Sequence, residues 1–248
     1  MNQNNISQEE AYHNRIAEKY CKIREHDYIW EIPEEMFILK KIYFKNKVVI
    51  DVGCGPAVSI KNIIDERVLL QSSYIGVDIS RRMLKLAKKN IPSGKFYHLD
   101  ISKLFFQKEV ADTLLSLGAL HHVKNPKKTI INWIRIIKPS GYLLLREPTL
   151  EALKRGYGAS PDEEGIPIDD IITILKENNF VIHRTIYFTS KLFHFINKIF
   201  IKLFGKIWQE SKIMWYPIMI IDICVSNVFG KYINFFRGEA CIIIAQKI

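Results

Sequence analysis

Apolar positions change period several times along the chain, and each change marks an element. Over 8–28 the run is polar, with Ile16, Tyr20 and Ile23 at helical spacing, and it predicts a helix. Residues 47–52 form a β-branched run closed by Gly53, the pattern of a buried strand. A helix is expected over 58–64 and a second strand over 74–77. Ser80 is a good N-cap for a helix over 81–89, where Met83, Leu84 and Ala87 share one face. Residues 92–94 break that helix. Third and fourth strands follow at 95–99 and 111–117. Asn125 and Pro126 open a helix that runs to Ile137, with Ile130, Trp133 and Ile134 on its apolar face. A turn at 139–141 precedes a fifth strand at 142–145. Strands alternating with helices predict βαβ units and a parallel sheet.

After Pro148 the pattern loosens. Residues 149–167 hold three Gly and two Pro, a long loop of the kind that often carries function. A helix at 168–178, a strand at 180–188 and a last strand at 240–246 complete the series. Between those two strands lie about fifty residues that are apolar, aromatic and basic. The 248 residues therefore read as one domain: a helical cap over 1–45, a core over 46–148 and a helical insert over 189–238.

The turn after the first strand carries candidate chemistry. Residues 48–57 read VVIDVGCGPA, a strand feeding a glycine turn into a helix. Glycines let the backbone approach a ligand, and a helix start offers N–H groups. Three features narrow the ligand. A dinucleotide fingerprint needs a third Gly at position 58, which is Val58. Asp51 at the strand end would repel a pyrophosphate but not a cationic ligand. Asp78 and Asp100 also close strands, so three carboxylates line the strand ends where such sheets bind ligands. Asp78 can accept from two ribose hydroxyls, and Asp100 from an adenine amino group.

With these residues in view, the chain resembles the class I S-adenosylmethionine-dependent methyltransferases, in the small-molecule group that includes the ubiquinone and menaquinone biosynthesis enzymes. The matching stretches are IAEKY (16–20), VVIDVGCGPA (48–57), YIGVDIS (74–80), FYHLDIS (96–102), ADTLLSLGALHHV (111–123) and IKPSGYLLLREP (137–148). They occur in the family's order. The family's third turn glycine is Ala57 here, and its usual Gly-Gly is Ser140–Gly141. The resemblance implies an α/β, Rossmann-like, seven-stranded and mostly parallel sheet with helices on both faces and an antiparallel final hairpin. It implies S-adenosylmethionine as cofactor. Asp51, Gly53 and Gly55, with Cys54 between the glycines, would hold its methionine end. Asp78 would hold the ribose, with Ile79 and Met83 against the adenine and Asp100 and Ile101 at the adenine edge. Leu117 and Gly118 would lie near the methyl group, and Tyr20 would close the pocket.

Methyl transfer from a sulfonium is an in-line displacement. It needs an aligned nucleophile and, for a hydroxyl, a base. The candidates are His121 and His122, just past the fourth strand, and Glu147 at the end of the fifth. An ion pair to a Lys or Arg is the alternative for Glu147. The two adjacent histidines are expected to point different ways.

Charge changes the picture at the insert. The chain carries a net +10. From 191 to 237 there are seven Lys and Arg against Glu210 and Asp222, so half the net charge, +5, sits there. Lys191, Lys198, Lys202 and Lys206 fall on one helical stripe, and Leu192, Ile196, Ile199, Phe200, Leu203 and Ile207 on the opposite face. That pattern suits a helix lying in a membrane interface, with Trp208, Trp215 and Tyr216 at headgroup level. A lid over a hydrophobic substrate and a homodimer face are the other readings. Nucleic acid is not expected, since Arg is scarce. The apolar run over 213–229 is interrupted by Pro217, Asp222 and Asn227, so it does not predict a membrane span. Cys21, Cys54, Cys224 and Cys241 form no CxxC pair, so neither a zinc site nor a disulfide framework is expected. The polar start MNQNNISQEE does not read as a signal peptide. The expected protein is cytoplasmic, peripheral at the membrane face over 191–229. It would methylate a small hydrophobic or lipid-linked acceptor, with oxygen the expected target atom. A soluble methyltransferase of a hydrophobic metabolite, or a cofactor-binding assembly partner without catalysis, are the rival readings.

Overall fold

The β-branched run Val48–Val52 forms β1, the centre from which the sheet grows. A computed structural model describes residues 3–38, 43–104, 106, 108–155 and 165–248. Helices α1 (Gln3–Arg24) and α2 (Tyr28–Phe37) precede β1. Then come α3 (Val58–Ile63), α4 (Glu66–Leu70), β2 (Ser73–Asp78), α5 (Arg81–Asn90), β3 (Lys95–His98), β4 (Ala111–Leu117) and α6 (Pro126–Ile134). β5 (Ile137–Pro148), α7 (Leu150–Lys154), α8 (Ile168–Glu177) and β6 (Phe180–Ser190) follow. The insert is α9 (Lys191–Phe204), α10 (Lys206–Glu210) and α11 (Lys212–Val228), before β7 (Gly238–Lys247).

The seven strands run in the order β3-β2-β1-β4-β5-β7-β6. β1 to β5 pair in parallel, and β7 is antiparallel to both β5 and β6. This is the expected Rossmann-like sheet with its antiparallel final hairpin. Side chains alternate across it, giving a core on each face. Val49, Leu115, Leu144 and Ile242 pack with α2, α3 and the insert. Ile50, Leu114, Leu143, Leu145 and Ile243 pack with α6 and α8. Each fully buried Leu or Ile contributes about 1.5–3 kcal/mol.

Ser80 caps α5 as expected, its hydroxyl accepting from the Met83 N–H. Several expectations change. The first helix ends at Arg24 and a second, α2, follows, buried on the sheet despite its three glutamates. The expected turn at 139–141 lies inside β5. There Ser140 takes φ +61 and the register against β4 skips from Ala111↔Ile137 to Thr113↔Tyr142. The extra residues are absorbed as a bulge rather than ending the strand. In the expected loop over 149–167, 150–154 is helical, while 156–164 lies outside the described residues.

The insert departs most. Gly205, at φ +52 and ψ −126, ends α9, so Lys206 and Ile207 leave the stripe. Trp208 and Trp215 are buried and stack at 4.9 Å between ring centroids, with Phe200 4.6 Å from Trp208. They belong to the core on that face of the sheet and do not face a headgroup layer. Asp222 on α11 accepts from the Thr189 and Ser190 N–H groups and from the Ser190 hydroxyl, which itself caps α9. Among the described residues, no helix is long and apolar enough to cross a membrane. Trp208→Ala is expected to cost about 3–5 kcal/mol, read as a fall in the midpoint of chemical denaturation.

Candidate functional site

The C-terminal edge of the parallel strands meets α1 and α2, and a pocket opens there. Tyr20, Arg24, Asp51, Gly53, Gly55, Leu117 and Arg146 line it, with Cys54. Tyr20 and Arg24 are one helical turn apart, so α1 presents both on one face. Six of the predicted cofactor residues thus share one pocket: Tyr20, Asp51, Gly53, Cys54, Gly55 and Leu117.

The glycine turn is built to be thin rather than to cradle an anion. The N–H groups of Gly53 and Cys54 both donate to the Val77 carbonyl, at 2.8 and 3.0 Å. That of Gly55 donates to Asp78 Oδ2 at 2.9 Å. All three are spent inside the fold, which leaves the start of α3, at Val58, Ser59 and Ile60 in the pocket lining, as the place where N–H groups are offered. Gly53 sits at φ +71, and a Cβ there would lie 2.3 Å from the Ala119 Cβ. Only glycine fits that crossing of two loops.

The remaining predicted cofactor residues follow the same edge toward β3. Asp78 is buried, with Oδ1 accepting from the Ser80 N–H and Oδ2 from Gly55. Met83 is buried under it, and the Ile79 carbonyl lies 2.7 Å from His98 Nε2. Asp100 caps the short turn Ile101–Lys103, accepting from the Ser102 N–H and hydroxyl. The Ile101 carbonyl takes the Trp133 indole N–H. Gly118, at φ +84, stands between the Arg146 guanidinium and the His121 ring.

Electrostatics distinguish the pocket. Asp51 is buried, and the Tyr74 hydroxyl donates to it. Burial pushes its carboxyl up to about 7, with Glu34 and Asp78 adding to the rise and the Tyr74 bond and Arg146 opposing it. Arg24 and Arg146, which sequence reading missed, supply two cations beside it. Burial works against the charge on Arg24, yet Tyr20, Asp27 and Glu34 hold its pKa above the ordinary value. Arg24 is fixed by Asp27 at 2.8 Å and by Ser59 Oγ at 2.6 Å. Arg146 is fixed by Glu34 at 2.8 Å, the Leu117 carbonyl at 2.6 Å and the Trp30 ring. Two guanidiniums and one carboxyl around a thin turn suit a zwitterion, an α-carboxylate with its α-ammonium. The i, i+4 spacing of Tyr20 and Arg24 is the sequence signal that could have found Arg24.

Beside the pocket lies a second constellation. Glu147 is buried and accepts from the N–H groups of Ala119, Leu120 and His121, and His121 Nδ1 lies 2.7 Å from its Oε2. The partner of Glu147 is therefore a histidine, not a Lys or Arg. His122 turns toward α1, where Glu9 Oε1 lies 3.5 Å from its Nδ1 and 3.0 Å from His13 Nε2. The two adjacent histidines do take different partners, although their rings lie only 4.1 Å apart.

Comparisons with known proteins match the core of the chain and its fold. Residues 50–145 match the family model described as a methyltransferase domain. The chain is 30% identical over 105 residues to phthiotriol/phenolphthiotriol dimycocerosates methyltransferase 1 of Mycobacterium ulcerans, covering 42% of this chain and 38% of that protein. It is 24% identical over 160 residues to the mitochondrial ubiquinone biosynthesis O-methyltransferase of Schizosaccharomyces pombe, covering 56% and 57%. The chain thus spans less than two thirds of the length of either relative. In fold it is similar to magnesium protoporphyrin IX methyltransferase from Synechocystis, solved with bound S-adenosylhomocysteine. The TM-score is 0.54 at 18% identity, covering 90% of this chain and 84% of that one.

A carboxyl that is raised by folding has a definite linkage sign. Below pH ~4 Asp51 is neutral in both states, and its contribution to stability is intact. As pH rises toward about 7, the unfolded carboxyl ionises first and stability falls, by about 1.4 kcal/mol per pH unit of separation. Asp51→Asn is expected to flatten this part of the profile in thermal unfolding of the ligand-free chain from pH 4 to 8.

Proposed function

We propose that this chain, a class I S-adenosylmethionine-dependent methyltransferase by its core domain, methylates an oxygen of a small hydrophobic or lipid-linked acceptor. The observation that carries the chemistry is the buried Glu147 carboxylate holding His121 beside Gly118. Arg24 and Arg146 would take the cofactor's α-carboxylate, and Asp51 its α-ammonium. Asp78 would take the ribose, and Asp100 and Ile101 the adenine edge, with Ile79 and Met83 against its ring. Tyr20 closes the opening from α1, and Leu117 and Gly118 border the methyl end. When bound, S-adenosylmethionine supplies an electrophilic methyl group on a sulfonium.

The protein's own work is alignment and proton removal. With Glu147 on Nδ1, the His121 imidazole keeps its proton there and presents Nε2 as an acceptor. An acceptor hydroxyl beside Gly118 gives its proton to that nitrogen as its oxygen attacks. One relative carries O-methyltransferase in its name and another a lipid, the dimycocerosates. The first supports an oxygen acceptor and the second a lipid-linked one.

The insert supports delivery from a lipid surface. Phe195, Ile199, Leu203, Ile207 and Ile213 are all exposed, and Lys198, Lys202 and Lys206 stand among them. Apolar side chains flanked by lysines match the acyl and anionic headgroup layers of a membrane face. A homodimer through this face and a lid for a soluble metabolite are the competing arrangements.

His121→Ala is expected to lower turnover about 10²–10⁴-fold while binding of S-adenosylhomocysteine, measured by calorimetry, stays near native. No binding by the native chain would sink the cofactor reading. Native turnover in the variant would remove the base. The chain is also expected to co-sediment with anionic vesicles at low salt, and Lys198→Glu with Lys202→Glu to abolish that. A soluble dimer that ignores the vesicles would favour the dimer face instead.

A further inference from the structure

A trio of side chains outside the cofactor pocket has the geometry of a metal site. Glu9 and His13 stand one turn apart on α1, so they share a face. His122, in the loop after β4, completes the trio, and one donor atom from each lies within 4.8 Å of the others. The Glu9 Oε1 to His13 Nε2 distance is 3.0 Å, and that to His122 Nδ1 is 3.5 Å. Ligand bonds of 2.0–2.2 Å give donor–donor edges of about 3.0 Å in an octahedron and about 3.4 Å in a tetrahedron. The two edges that meet at Glu9 match those values to within about 0.1 Å, and the third, from His13 to His122, is within 4.8 Å. The side chains are 20%, 21% and 25% exposed, which leaves an entry path. The His13 and His122 rings meet edge to face, 5.3 Å between centroids.

We propose that Glu9, His13 and His122 bind a divalent transition metal, with the remaining coordination positions open to water or to the methyl acceptor. Two imidazoles and one carboxylate suit Zn²⁺, Fe²⁺, Mn²⁺ or Co²⁺ and leave a site of the catalytic rather than the closed structural type. The absence of cysteine pairs does not bear on such a set. Placement gives the metal a task, which rests on the methyl-transfer reading, although the site itself does not. The His122 ring lies 4.1 Å from that of His121. An acceptor hydroxyl on the metal is therefore adjacent to the base. A metal there would lower the hydroxyl's pKa; the proton would pass to His121 Nε2, and the oxygen's electron pair would form the new oxygen–methyl bond as the methyl–sulfonium bond breaks and its electrons leave with the neutral thioether. The acceptor class this favours is a catechol, a β-keto enol or a vicinal diol, whose two oxygens chelate.

The test uses the full chain with Co²⁺ as the probe. Equilibrium dialysis with metal analysis is expected to find one Co²⁺ per chain, with visible d–d absorption, displaced by Zn²⁺. Glu9→Gln and His13→Ala are each expected to weaken Co²⁺ at least tenfold, while His183→Ala, on exposed β6, retains it. Calorimetry with S-adenosylhomocysteine on the same samples separates the two claims. Nucleoside binding without Co²⁺ uptake overturns the metal site and leaves the cofactor reading. Co²⁺ uptake without nucleoside binding does the reverse. Retention of Co²⁺ by both ligand variants also overturns the assignment.

Discussion

The buried pair of Glu34 and Arg146 is the constraint on which the shape of the pocket depends. Glu34 has no exposed surface, and its carboxylate comes within 2.8 Å of Arg146 Nε. The approach is off the N–H line, so the contact is an ion pair more than a hydrogen bond. Burial pushes the Glu34 carboxyl up, while Arg146 and Arg24 pull it down. Removing one member of such a pair strands the other, at a cost of about 3–5 kcal/mol. The pair joins α2 of the cap to the end of β5. Through the Arg146 bond to the Leu117 carbonyl it also holds the loop after β4. Roof and floor of the pocket are thereby one unit.

The next residue shows how one strand end serves two chemistries. Successive side chains on a strand point to opposite faces. Arg146 therefore faces the cap with Leu144, and Glu147 faces the other core with Leu145. A cation goes to the pocket. A carboxylate goes to the loop that carries His121. A one-residue slip in β5 would exchange them, and the bulge at Ser140 lies upstream, where it does not disturb this register.

Legibility in the sequence followed the range of the interaction. The strands, the Ser80 cap and the glycine turn depend on neighbours within a few residues, and the periodicity reported them. The seven-stranded sheet with its antiparallel final hairpin followed from the family motifs. Arg24, Arg146 and the Glu147–His121 pair stayed hidden as a set because their partners lie on other elements. Asp51, Asp78 and Asp100 were legible as strand-end carboxylates, but not the way the first two are engaged. Asp51 is bonded by Tyr74, and Asp78 is spent in part on the turn itself. The Glu9 and His13 spacing was visible, but nothing local placed His122 against it. Trp208 and Trp215 misled because aromatic residues in a basic amphipathic run suit a membrane interface and a protein core equally well.

That double use explains the insert. Its aromatic side chains face inward, and Asp222 pins α11 to the start of α9 at the sheet edge. A helix bound to the domain by a buried carboxylate cannot leave it to enter a bilayer, and Pro217 and Asp222 would deny it an apolar span in any case. What remains for an outside surface is the face of α9 and α10 that the tryptophans do not use. The exposed side chains there include Phe195, Ile199 and Leu203 with Lys198 and Lys202 on α9, and Ile207 with Lys206 on α10, after the break at Gly205. Burying four large apolar side chains contributes about 1.5–3 kcal/mol each at full burial. Each lysine near an anionic surface adds about 1 kcal/mol. The two contributions are comparable, so binding by this face would be strong on acidic lipid, weak on neutral lipid and sensitive to salt. A contact between two copies would set the same lysines against each other and gain only the first contribution. The sign of the charge therefore favours the membrane over the dimer.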